Sequence, residues 1–231
     1  MAASMAEAQT PEALILDFDG TVVDTESPEL VSYKQLFAGY GVRFPEERWL
    51  ATIGGELTFD AYSYLQREVE VRLPITKIRN RRRQLHRELV LREGLRPGVR
   101  EYVQRARELG LKLGVASSAK ADWVIPLLRH YELDECFNTV VTADDVANVK
   151  PDPELFRTAV ARLGVSATRT IAVEDSVNGM RAAIRAGLVC VVVPNDVTSK
   201  LDWPDEPRAH YLSSLTDITL DELVRWIAAR A

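Results

Sequence analysis

The sequence predicts an α/β fold: a parallel sheet flanked by helices, with an all-helical insertion after the first strand. From about residue 96 onward, short apolar runs of strand length alternate with amphipathic helical stretches. Repeated strand–helix units imply a parallel sheet with right-handed crossovers. Between Thr25 and Glu93 the pattern is helical only, and Gly94 with Pro97-Gly98 marks its end.

Met1 to Thr10 is Ala-rich, with no basic start and no long apolar segment, so a loose tail is expected rather than a secretion signal. Ala13-Leu14-Ile15-Leu16 is a continuous apolar run, the pattern of a buried parallel strand, and it ends in Asp17-Phe18-Asp19-Gly20-Thr21. Thr25 or Ser27 can cap the next helix, with Pro28 in its first turn. Leu30, Tyr33, Leu36, Phe37 and Tyr40 recur at helical spacing, and Gly41 lies just beyond the end. Further helices are expected over 45–50, 58–68 and 74–92, broken at Gly54-Gly55 and Pro74. Strands are then expected at 111–116, 139–142, 170–173, 188–193 and 209–212. Helices are expected at 99–109, 121–130, 153–163, 177–186 and 220–229, with Pro126 bending its helix or marking a later start. The expected division is a tail of residues 1–10, a core of 11–24 and 96–231, and an inserted helical domain of 25–95.

The chain has 231 residues, enough for one good core with a smaller insertion. Its net charge of -5 argues against general affinity for nucleic acid or an anionic membrane. No apolar run approaches the roughly 20 residues that span a bilayer. Cys136 and Cys190 show no metal-like spacing, and two reduced thiols fit the cytoplasm. A monomer is the default.

Ligands of open α/β sheets sit at the carboxyl ends of the strands. Asp17 and Asp19 stand at such an end, as do Ser117-Ser118 and Glu174-Asp175, and Lys150 follows the 139–142 strand. Asp17 and Asp175 can ligate a hard cation such as Mg²⁺, with Glu174 nearby. Lys150 supplies a positive charge for a phosphoryl oxygen, and Ser117 a hydrogen bond. Each element also has a plainer explanation. Asp-x-Asp is often just a polar strand end, Ser117 a helix cap, Lys150-Pro151 a surface turn and Glu174-Asp175-Ser176 a helix N-terminus. A calcium loop is excluded, because Gly20 is fourth in its motif rather than sixth. The order and placement of all four at strand ends favours phosphoryl-transfer chemistry.

Those four segments resemble the motifs of the haloacid dehalogenase-like hydrolases. They are Asp17-Phe18-Asp19-Gly20-Thr21-Val22, Val115-Ala116-Ser117-Ser118, Val149-Lys150-Pro151-Asp152-Pro153 and Val173-Glu174-Asp175-Ser176. The resemblance runs from about Pro11 over nearly the whole chain. It implies a Rossmann-like core, a helical cap between the first and second motifs, Mg²⁺ and a phosphoaspartate intermediate. By that resemblance Asp17 is the nucleophile and a metal ligand. Asp19 is the acid–base residue and a ligand through its backbone carbonyl. Ser117 and Lys150 hold the phosphoryl group, Thr21 and Ser118 are substrate-side residues, and Asp175 completes the metal site with Glu174 helping.

Dehalogenating members lack the second acid of the first motif, which is present here as Asp19. Sugar phosphomutases of the β-phosphoglucomutase type carry a His five residues after the Asp of an Asp-Thr pair, where this chain has Glu29. Phosphonate-cleaving members use a cap lysine, and Lys34 and Lys77 sit in no such motif. A phosphatase acting on a small phosphomonoester (a sugar phosphate, a nucleotide or a similar metabolite) is therefore expected, with a mutase as the alternative and a non-catalytic binding member as the contrast. Thr52-Ile53-Gly54-Gly55-Glu56 resembles the cap loop that approaches substrate, where Glu56 can accept bonds from sugar hydroxyls or favour the start of the next helix. Arg79, Arg81, Arg82, Arg83 and Arg87 read as a solvated helix face.

Overall fold

A computed structural model describes residues 10–53 and 59–229. Six parallel strands form one sheet: β1 (Ala13–Leu16), β2 (Lys112–Ala116), β3 (Thr139–Val141), β4 (Thr170–Glu174), β5 (Val189–Val192) and β6 (Ala209–Tyr211). Their order is β3-β2-β1-β4-β5-β6. Every residue of β1 and β4 is buried, as expected for central strands covered on both faces.

Among the described residues four helices follow β1: α1 (Glu26–Ala38), α2 (Glu46–Ile53), α3 (Ala61–Glu68) and α4 (Ile75–Glu93). Five belong to the alternating part: α5 (Val99–Glu108), α6 (Ala121–His130), α7 (Glu154–Leu163), α8 (Val177–Arg185) and α9 (Leu220–Ala228). Successive strand residues point to opposite faces, so β1 feeds two cores. Leu14 and Leu16 pack with Val103 of α5, Leu127 and Leu128 of α6 and Leu223 and Ile227 of α9. Ala13 and Ile15 pack with Phe156 and Ala159 of α7 and Met180 and Ala183 of α8. No helix among the described residues is long and apolar enough to cross a membrane.

The insertion has a core of its own, built from Leu30, Phe37, Phe44, Trp49, Tyr62, Leu65 and Ile78, joined by Val197 from beyond β5. The passages into and out of it run side by side, because Val23 bridges antiparallel to Leu95 and the Arg96 amide donates to the Val22 carbonyl at 3.0 Å. The Arg96 guanidinium then donates to the carbonyls of Gly20, Val193 and Pro194 at 2.6, 2.7 and 2.9 Å. That fork ties the exit passage to the rim of the sheet.

Three local features depart from the sequence expectation. Neither Thr25 nor Ser27 caps α1 with its hydroxyl; the Asp24 carboxylate accepts from the Ser27 amide at 3.0 Å instead. Pro126 does not delay α6, which runs on both sides of it with Val124, Leu127 and Leu128 buried. Proline forfeits only one intrahelical bond there, and apolar burial on either side offsets the loss. Arg82 is not on a solvated face but buried at 7% exposure. It donates to the Tyr62 hydroxyl at 2.9 Å and to Ser32 Oγ and Glu29 Oε1 at 3.1 Å each, with its guanidinium 4.3 Å from the centre of the Tyr33 ring. Helical phase explains it: Arg82 is one turn beyond buried Ile78 on α4. Replacing it strands buried donors and acceptors, so Arg82→Ala is expected to lower stability by about 2–4 kcal/mol in urea unfolding monitored by tryptophan fluorescence.

Candidate active site

The carboxyl end of β1 lies between those of β2 and β4, where the strand order reverses and open sheets bind ligands. Asp17 follows β1, and its amide continues the ladder by donating to the Val173 carbonyl at 2.9 Å. Ser117 follows β2, with its amide on the Val141 carbonyl at 2.9 Å. Glu174 closes β4 and Asp175 follows it. Parallel pairing therefore gathers onto one rim residues far apart in sequence.

Lys150, from the segment after β3, reaches into this rim with a side chain only 5% exposed. Its ammonium pairs with Asp17 Oδ1 and, at 2.5 Å, with Glu174 Oε1. Burial alone would discharge Lys150, but the two carboxylates outweigh it and hold its pKa above the ordinary lysine value. The plainer explanation of Lys150-Pro151 as a surface turn is thereby excluded for the side chain.

Asp17, Glu174 and Asp175 each bring one carboxylate oxygen within 4.8 Å of the others, and all three are buried. Burial pushes all three pKa values up, Glu174 to about 7, while Lys150 opposes the rise at Asp17 and Glu174. Asp175 is oriented on both oxygens. Thr21 Oγ1 donates to Oδ1 at 3.3 Å, and Asn195 Nδ2 and Thr198 Oγ1 donate to Oδ2 at 3.0 and 3.4 Å. Asn195 also donates to Glu26 at 3.0 Å. An all-oxygen, net-negative, pre-oriented cluster fits a small hard divalent cation, which would relieve the repulsion that burial creates. Two glycines make room for it. A Cβ at Gly20 would lie 2.1 Å from Asp175 Oδ2, and one at Gly179 2.0 Å from the Glu174 carboxylate.

Asp19 has different surroundings. Trp123 Nε1 donates to Oδ1 at 2.7 Å and Ser117 Oγ to Oδ2 at 3.4 Å. Burial and the charge on Asp17 raise its pKa to about 6, against the pull of the Trp123 hydrogen bond. One acid thus faces a cation and its neighbour faces neutral donors.

Asp17, Asp19, Ser117, Lys150, Glu174 and Asp175 come together as the sequence suggested. Ser176 also caps α8, accepting from the Gly179 amide at 3.0 Å, whereas Ser117 caps no helix and accepts from the Ala119 amide at 3.0 Å ahead of α6. Thr21, expected on the substrate side, is buried and turned to Asp175. Ser118 is exposed at the end of β2. Glu56 lies outside the described residues. Trp123, Asn195 and Glu26 were not anticipated. The strand-end rule, applied to β5, would have led to Asn195; Trp123 carries no such signal.

A family model described as haloacid dehalogenase-like hydrolase matches residues 14–193. The chain is 40% identical over 209 residues to YhcW of Bacillus subtilis, provisionally named a phosphatase, covering 90% of this chain and 94% of that one. It is 31% identical over 181 residues to the phosphorylated carbohydrates phosphatase of Thermotoga maritima, covering 77% and 82%. Among solved structures, an Asp-to-Asn variant of CbbY from Rhodobacter sphaeroides in complex with xylulose-(1,5)bisphosphate superposes with a TM-score of 0.70 at 30% identity, covering 92% of this chain and 99% of that one.

The raised acids make a stability prediction. Carboxyls whose folded pKa exceeds the unfolded value stabilise the fold while protonated, and that contribution is lost as pH rises through the folded values. With Asp19 at about 6 and Glu174 at about 7, the metal-free chain is expected to lose thermal stability between pH 5.5 and 8. Mg²⁺ should raise the melting temperature more at pH 8 than at pH 5.5. Scanning calorimetry in EDTA and in Mg²⁺ at both pH values checks this; equal shifts would count against a cation among these acids.

Proposed function

Since the chain belongs to the haloacid dehalogenase-like hydrolases, we propose that it dephosphorylates a small phosphorylated sugar through a phosphoaspartate formed on Asp17. It is a phosphoric monoester hydrolase. The observation that carries the mechanism is the unequal treatment of two acids one residue apart. Asp17 pairs with the Lys150 ammonium, which favours its ionised, nucleophilic form, whereas Asp19 has neutral donors and a pKa of about 6.

In the first step an Asp17 oxygen attacks phosphorus, the ester P–O bond breaks, and the leaving alkoxide takes the proton of Asp19. In the second, the Asp19 carboxylate takes a proton from water as that water attacks the phosphoryl group, and Asp17 is released with inorganic phosphate. Ser117 and Lys150 hold the phosphoryl oxygens through both steps. Asp17, Asp175 and the Asp19 carbonyl, with Glu174 close by, would hold Mg²⁺, which when bound neutralises charge on those oxygens. The helical insertion acts as the cap over this rim, and Glu56 of the insertion and Ser118 beyond β2 are candidate contacts to the sugar. The carbohydrate phosphatase and sugar-bisphosphate-bound relatives support a phosphorylated sugar as substrate. Glu29, in place of the mutase histidine, is engaged with Arg82 at 3.1 Å, which favours release of phosphate over its return to the sugar.

Phosphate release from a panel of sugar phosphates in Mg²⁺ tests the reading. Asp17→Asn is expected to abolish both release and the phosphoenzyme. Asp19→Asn is expected to slow alkyl phosphates by about 10²–10⁴-fold, with a smaller effect on the phosphorylation step from an aryl phosphate. A phosphoenzyme that persists in Asp17→Asn would refute the nucleophile, and conversion of β-glucose 1-phosphate to the 6-phosphate without phosphate release would identify a mutase.

A further inference from the structure

We propose that Trp123 is a positioning residue for Asp19, and that the helical insertion fixes Trp123 through His86; the role rests on the acid–base assignment of Asp19 above. Trp123 stands in the first turn of α6, on the core side, and its indole N–H reaches Asp19 Oδ1 at 2.7 Å. An indole can donate but not accept, so it always occupies Oδ1 as an acceptor. This favours placing the transferable proton of Asp19 on Oδ2, where the Ser117 hydroxyl can turn to accept as well as donate. That is the oxygen 3.4 Å from Ser117 Oγ, the hydroxyl assigned to the phosphoryl group. Trp123 thereby selects which oxygen delivers and collects the proton.

The indole is held in turn from the insertion. The His86 ring, on α4, stacks on it with centroids 5.3 Å apart and planes 20° from parallel. His86 Nε2 lies 3.0 Å from the Thr25 carbonyl, and a carbonyl only accepts, so Nε2 carries the hydrogen. Thr25 immediately precedes α1, in the passage into the insertion. His86 is thus fixed by the insertion and its entry passage, Trp123 rests on His86, and Asp19 is aimed by Trp123. Seating the insertion and aiming the acid become one event. A displaced insertion leaves the indole without its stacked ring.

Trp123→Phe keeps an aromatic ring for His86 and removes the N–H together with the indole's five-membered ring. In single-turnover measurements it is expected to slow a hexose phosphate, whose alkoxide needs a proton, about tenfold more than nitrophenyl phosphate, whose leaving group does not. His86→Ala should shift the same ratio in the same direction, and His86→Phe should restore it. Nuclear magnetic resonance of the indole N–H groups gives a readout independent of turnover. The chain has four tryptophans, and the signal lost in Trp123→Phe identifies Trp123. That signal is expected to move in Asp19→Asn and in His86→Ala. Equal slowing of both esters, or an indole signal unmoved in Asp19→Asn, would overturn the proposal. If the wild-type chain released phosphate from neither ester, the hydrolase reading would fall, and the indole shift would decide alone whether Trp123 holds Asp19.

Discussion

The ammonium of Lys150 is the charge on which the rim of this sheet depends. Asp17, Glu174 and Asp175 crowd together with 6% exposure or less, and Lys150 is the cation paired with two of them. Buried like charges are costly, and a carboxylate without a partner neutralises by taking a proton. With Lys150 in place, Asp17 keeps a partner that favours its charge while Asp19, one residue on, takes its hydrogen bonds from an indole and a hydroxyl. The chemistry proposed for the two acids is a consequence of where that one cation is delivered.

Delivery is a matter of topology. The β3-β2-β1-β4-β5-β6 order sets the first strand of the chain between two strands that come much later, so motifs far apart in sequence meet at one edge. The insertion leaves the sheet at this edge and returns to it, with its two passages paired at Val23 and Leu95 and clamped by Arg96. A substrate-facing domain attached there touches the chemistry at its root, and the His86–Trp123 stack makes such a contact.

Much of this was readable from the chain. The apolar run of β1 followed by Asp17 and Asp19, and the polar ends of β2 and β4, are local patterns, and local patterns survive folding because strand burial enforces them. Partners chosen by packing between elements were not readable in the same way. Arg82 is one arginine among several on α4, and only the helical phase set by Ile78 marks it as buried. Trp123 looks like any large residue in the first turn of an amphipathic helix; its N–H acquires meaning only when α6 is placed beside Asp19. Asn195, which orients Asp175, was within reach of the strand-end rule at β5, with only Val193 and Pro194 between. Resemblance to the first motif puts Thr21 on the substrate side, whereas its hydroxyl turns to Asp175 in the acid cluster.

The missing side chains at Gly20 and Gly179 have an effect on how this protein can vary. Both positions are bare because carboxylate oxygens of Asp175 and Glu174 occupy the space a methyl group would need. Neither glycine has a functional group, and neither would be suspected from chemistry alone. Yet a single-carbon change at either one would push aside an acid that the site depends on, with Gly20 further constrained by its φ of 76°. Substitution at these two silent places is therefore limited by the same carboxylates that build the site.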